Sequence, residues 1–184
     1  YTEVAIDPRI SPDYSDITMP TNIAPLNFRI LEQGQYYSVK IYTDNSEGIR
    51  LFSKTDQIRI SLRKWRALLQ SNQGNKLFFD VYVLNAEQGW KKFRRITNTI
   101  AKEAIDSHVV YRRMKPIYNW WKDIGIYQRN LANYDESVVM HGRSFKEGCL
   151  NCHSFVGNDP DTMTIGLRSA TYGSSTLLTQ NGSV

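Results

Sequence analysis

Between residues 76 and 84 the chain alternates without a break, with Leu77, Phe79, Val81 and Val83 on one side and Lys76, Phe78, Asp80, Tyr82 and Leu84 on the other. A period of two over nine residues belongs to a strand with one buried face, because successive side chains point to opposite sides of a pleated backbone. Such a strand needs hydrogen-bonded neighbours in a sheet and a second layer over its apolar side. Residues 90–100, reached through a turn at 85–89, form an antiparallel hairpin with it. The register there is blurred, since both Lys91/Phe93/Arg95 and Lys92/Arg94/Ile96 mix charged with apolar residues. Shorter runs at 28–31, 36–42, 49–52 and 57–60 are separated by turn residues at Gln33-Gly34 and 44–48, and Tyr37, Val39 and Ile41 share a face.

One segment in this half has a helical period. Ser61 stands as N-cap before Leu62, Trp65, Leu68 and Leu69, which share one face, and Asn72-Gln73-Gly74 closes the helix. Residues 28–140 are therefore expected to form a mainly β, sandwich-like domain with one or two short helices. Ahead of it, residues 1–27 hold four of the six prolines (Pro8, Pro12, Pro20 and Pro25) and form an extended arm, docked by Ile10, Tyr14, Ile17 and Ile23. After Asp106, Val109-Val110-Tyr111 is strand-like. Residues 117–125, with Trp120-Trp121, form a helical turn ended by Gly125, which 126–131 prolongs past a kink. Residues 141–184 make a loop-rich segment followed by a terminal hairpin.

Composition excludes several functions. The net charge of +5 is modest, and the densest basic clusters sit inside patterned segments, so the chain has neither the basic face nor the reader motif of a nucleic-acid-binding protein. No stretch approaches the roughly 20 apolar residues of a membrane helix. Tyr1-Thr2-Glu3-Val4 is no initiator sequence, so a signal peptide or membrane anchor is expected upstream, outside this sequence. With three histidines and no G-x-S-x-G or P-loop pattern, no hydrolase or kinase can be argued, and a non-enzymatic role is favoured.

The only two cysteines stand in Cys149-Leu150-Asn151-Cys152-His153. Two thiols three residues apart reach the two vinyl groups on one edge of a porphyrin, and the adjacent His153 supplies an imidazole to the iron. The motif thus points to covalent haem c, held by Cys149, Cys152 and His153. Met163, ten residues on, is the candidate sixth iron ligand, ahead of Met140, His141 and His108. Gly148 lets the backbone approach a flat cofactor. Two other readings stay open: a Cys149–Cys152 disulfide, structural or redox-active, and a zinc site adding His141 and His108. A glycan- or protein-binding β module with that disulfide is the main alternative function, with Tyr118, Trp120, Trp121 and Tyr127 as an aromatic platform.

Asp16-Ile17-Thr18-Met19-Pro20-Thr21-Asn22-Ile23-Ala24-Pro25-Leu26-Asn27-Phe28, Tyr127-Gln128-Arg129 and the segment from Cys149 to Phe155 together resemble the region before the propeller in TolB-like β-propeller cell-envelope proteins of Bacteroidota-type bacteria. The resemblance runs from about Ser15 to Leu178. It implies a β-rich N-terminal domain, a haem-type motif at Cys149, Cys152 and His153, and propeller blades downstream, a first blade starting near Thr171-Tyr172-Gly173. With the motif, it leads to the expectation of a periplasmic or cell-envelope haem c module in electron transfer or redox sensing. Its partner would be a redox protein or the downstream propeller.

Overall fold

The computed structural model describes residues 1–114, 124–159 and 161–181. The protein is mainly β and divides into two units: residues 1–107 with 131–133, and residues 108–130 with 134–181. The boundary thus falls after Ser107, where the sequence pattern had suggested 140.

In the first unit, residues 1–27 contribute the two-residue strands β1 (Thr2–Glu3), β2 (Ile10–Ser11) and β3 (Thr18–Met19). The body contributes β4 (Phe28–Ile30), β5 (Tyr36–Thr43), β6 (Ser46–Ser53), β7 (Gln57–Ile58), helix α1 (Leu62–Gln70), β8 (Lys76–Asn85), β9 (Gly89–Lys92) and β10 (Ile96–Ile100). The expected strand β8 is the centre of a seven-stranded sheet. β5 lies antiparallel along one side of it, from Tyr36 opposite Leu84 to Tyr42 opposite Phe78, and β6 continues beyond β5. The other side of β8 is shared, β9 pairing with Tyr82–Asn85 and β10 with Lys76–Phe79. This explains the blurred register after Lys91. The chain leaves the ladder at Phe93-Arg94-Arg95, where the Phe93 N–H donates to Val81 and the Arg94 N–H to Ile6, and re-enters it in a new phase.

Leu77, Phe79, Val81 and Val83 are all buried and meet Val39, Ile41, Ile49 and Ile96 in one core. That core is closed by the small sheet β2-β4-β7 and by α1. Trp65, Leu68 and Leu69 point inward from the helix, and buried Asn72 ends it by donating its side-chain amide to the Leu68 carbonyl at 2.8 Å. Ser61 occupies the N-cap position, but its hydroxyl makes no capping bond. The arm is docked as expected: Ile10 is buried, and Tyr14, Ile17 and Ile23 pack against the core.

The second unit consists of two antiparallel three-stranded sheets. One is β11 (His108–Arg113), β12 (Gly125–Asn130) and β13 (Glu136–His141). The other is β14 (Cys149–Phe155), β15 (Thr162–Ser169) and β16 (Gly173–Gln180). They share a core of Ile124, Ile126, Met140, Leu150, Met163, Ile165 and Leu167. Residues 126–130, expected to prolong a helix, are strand: Ile126 and Tyr127 are bulky β-formers, and pairing on both sides fixes them extended. The helical turn expected at 117–125 lies mostly outside the described residues, and its last residue, Gly125, begins β12.

Two of the arginine-bound carboxylates in these units, Glu32 and Glu136, have their titration shifted by those bonds. Glu32 accepts two side-chain bonds from Arg9, at 2.9 and 3.2 Å. Glu136 accepts from Tyr111, from Arg129 at 3.0 Å and from Arg113 at 2.5 Å. The Arg9 bonds lower the pKa of Glu32, and the Tyr111 and Arg129 bonds lower that of Glu136, both from an ordinary 4.5. A carboxylate whose pKa is lowered on folding stabilises the fold above its unfolded pKa, and that contribution is lost as pH falls through the folded value. Thermal melts followed by circular dichroism should therefore show stability falling as pH drops below about 4.5. The Glu136→Gln protein should lose less than the wild type over that acid range. An equal acid loss in both proteins would show that Glu136 takes no part.

Candidate functional site

The cysteine motif, expected in a loop, lies on strand β14, at the edge of its sheet with β15 as its one neighbour among the described residues. Opposite residues of an antiparallel pair project to the same face. Leu150 stands opposite Leu167, His153 opposite Ile165 and Phe155 opposite Met163, so all three lie on the core side. Positions 150, 153 and 155 cannot share a face in an unbroken strand. The extra residue is Cys152, which sits in a bulge with φ of +43°. For an L-residue other than asparagine or aspartate the left-handed region is uncommon. Lys146 (φ +45°) and Glu147 (φ +68°) adopt it in succession just before the strand. Three strained backbone positions therefore fall within seven residues, each costing roughly 1–3 kcal/mol.

Within this frame Cys152 is exposed, and its N–H donates to the Asn151 side-chain oxygen at 3.0 Å. Cys149 is half-buried opposite Arg168 and touches the core. It also lines a cleft of about 590 Å³ with Lys146, Glu147 and Arg168. The His153 ring is half-buried and meets Phe155 edge-on at 6.5 Å. Both thiols are free. Their Cα separation is governed by the extended residues Leu150 and Asn151, and three steps along a strand span about 10 Å. A disulfide needs roughly 4.4–6.8 Å, so one could form here only if the strand were rebuilt.

The other sequence candidates are placed as follows. Met163 is buried in the core, diagonal to His153 on the same face. Met140 is buried in the same core, and His141 accepts the Arg143 N–H at 3.2 Å, capping a short 3₁₀ turn at Gly142–Phe145. His108 lies on β11. Among the described residues no three histidine, cysteine or acidic side chains gather as a metal would require. Gly148 serves packing: a Cβ there would meet Leu167 Cδ1 at 2.5 Å. Tyr118, Trp120 and Trp121 lie outside the described residues, while Tyr127 is buried, stacked 6.3 Å from Tyr111 and capped by the Arg113 guanidinium at 3.9 Å.

The sequence reading had not singled out the cations beside Cys149. Lys146 precedes the motif by three residues, but Arg168 reaches it only through the pairing of β14 with β15, which no local pattern announces. Compared with models of known protein families and with curated proteins, the chain finds no match.

Proposed function

We propose that residues 149–153 are a c-type haem attachment segment, and that the protein is an electron-transfer or redox-sensing module of the periplasm or cell envelope. The observation that carries this reading is the bulge at Cys152. It sets a free thiol outward from an edge strand, at a cost in backbone strain, with the neighbouring His153 turned to the opposite side. Strained positions persist where the surrounding structure over-determines them, and they concentrate at functional sites. Two free thiols and an imidazole also match the donor set of haem c. Two separate thioethers do not require the sulfurs to touch, so the long Cys149 to Cys152 span, which disfavours a disulfide, is no obstacle to them.

In this reading Cys149 and Cys152 would hold the group covalently, and His153, which lies on the core side of β14, would turn outward to ligate its iron. Bound there, the group supplies a one-electron couple. Arg168 and Lys146, on the wall of the cleft beside Cys149, add positive charge to that side of the site. Covalent attachment of this kind takes place outside the cytoplasm, which is the basis for the envelope location. A redox protein or a downstream propeller remains the proposed partner.

The test is a pyridine haemochrome spectrum with intact mass, on protein made in a host competent for c-type attachment. The expected result is a c-type spectrum and a mass gain of one haem, lost together in the Cys149→Ser/Cys152→Ser protein. Colourless wild-type protein of unmodified mass from that host would overturn the reading.

A further inference from the structure

The outward face of the seven-stranded sheet carries a second feature, built from residues remote in sequence from 149–153. One row across four strands reads Phe52 on β6, Ser38 on β5, Tyr82 on β8 and Lys92 on β9, each opposite the next. Phe52 is 71% exposed, an unusual setting for a phenylalanine inside a strand. Between the two aromatics stands the small, buried Ser38, so the row has a slot at its centre. With Trp90, Arg50 and Tyr1 these residues line a cleft of about 310 Å³, near the lower end of small-molecule sites, roughly 300–1,000 Å³.

The charges select among ligands. Lys92 is taken by Glu3 at 3.0 Å and Arg95 by Asp80 at 3.1 Å. Lys40 and Arg95 lie over the Tyr42 ring, at 4.4 and 5.3 Å. Arg50 is exposed at the cleft and makes no ion pair among the described residues, which leaves a guanidinium fork available for one carboxylate. Tyr82 keeps its phenol proton well into the alkaline range, since burial and Asp80 both raise its pKa, and so offers a donor beside it.

The width of the slot adds a second criterion. Phe52 and Tyr82 stand two strand spacings apart, about 9–10 Å. A flat base sandwiched between two rings needs only about 7 Å, two contacts of roughly 3.5 Å. The thicker pyranose ring fits better, its apolar C–H face on the aromatics and its hydroxyls toward Ser38 and Tyr82. A single-stranded nucleic acid would also require a track of cations along its phosphates, which one unpaired arginine at the cleft does not provide.

We propose that this cleft binds an acidic saccharide, a uronic-acid residue of an oligosaccharide, with Phe52, Tyr82 and Trp90 holding the ring and Arg50 its carboxylate. The experiment titrates the full 184-residue chain with a trigalacturonate, with neutral galactotriose and oligo-dT as controls, by calorimetry and tryptophan fluorescence. Trigalacturonate is expected to bind saturably at sub-millimolar to millimolar concentration and galactotriose at least about tenfold more weakly. Arg50→Gln should remove that preference, about tenfold in Kd. Phe52→Ala should weaken both sugars. Both substituted side chains are exposed, so folding is preserved, and a circular dichroism spectrum checks it. Absence of saturable sugar binding, equal affinity for the acidic and neutral sugars, or oligo-dT binding tighter than trigalacturonate and lost in Arg50→Gln would each overturn the proposal. None of these readouts depends on whether haem is attached.

Discussion

Replacing Trp65 with alanine is expected to destabilise the first unit by about 3–5 kcal/mol, the range for truncating a fully buried large aromatic. Trp65 has no exposed surface, and it is the largest of the three side chains, with Leu68 and Leu69, through which α1 reaches the core. The indole N–H also donates to the Ile23 carbonyl at 3.0 Å, which ties the N-terminal arm to the helix. Truncation thus leaves a cavity and an unsatisfied acceptor in a segment that is also tied by the Ala24 N–H to the Leu131 carbonyl at 2.7 Å and by the Asn22 side chain to the Ile105 backbone. Against a total stability of roughly 5–15 kcal/mol, such a loss is a large fraction. Urea unfolding by circular dichroism measures it, and limited proteolysis reports on the arm, which should be cut earlier around 20–27. Trp65→Phe keeps most of the volume and should cost less. A change under about 1 kcal/mol in Trp65→Ala would mean that the helix does not rely on this contact.

The first unit was largely legible because its buried residues follow one period at a time. The alternation of 77, 79, 81 and 83 survives intact in β8, and the spacing of Trp65, Leu68 and Leu69 survives in α1. Even the arm could be read, since Ile10, Tyr14, Ile17 and Ile23 are isolated apolar residues in a polar, proline-rich stretch and gain from docking. Legibility failed where the backbone itself breaks the period. After Lys92 the chain leaves one end of β8 and rejoins it at the other, so a single phase could not fit residues 90–100. At Cys152 one left-handed residue moves the inward set from 150 to 153 and 155, and a strand disguised in this way resembles a loop. The boundary at Ser107 was hidden for a different reason. Residues 131–133 return to the first unit through long-range bonds, the Leu131 N–H to Ser107 and the Arg66 guanidinium to Ala132, which no local pattern encodes.

Met163 carries two competing assignments, and substitution separates them. As a core residue it is 4% exposed and packs with Leu150, Ile165 and Leu167, opposite Phe155. Met163→Ala should therefore cost about 2–5 kcal/mol in the second unit. Met163→Leu, close to volume-conserving, should cost less than about 1.5 kcal/mol. As an iron ligand the thioether would have to be released from that packing, because His153 and Met163 are diagonal neighbours on one sheet face, about 7–8 Å apart, with parallel side chains and core residues around them. Both side chains project from one face of the sheet, so Met163 would have to leave that face to serve together with His153. The expected result for Met163→Leu in haem-loaded protein is an unchanged reduction potential and visible spectrum alongside near-wild-type stability. A marked drop in potential at unchanged stability would show that the sheet opens at β15 to deliver the sulfur, since a thioether ligand raises the potential and its loss lowers it. Sulfur chemistry and packing volume are uncoupled in this one substitution, so the pair of measurements assigns Met163 to the core or to the iron.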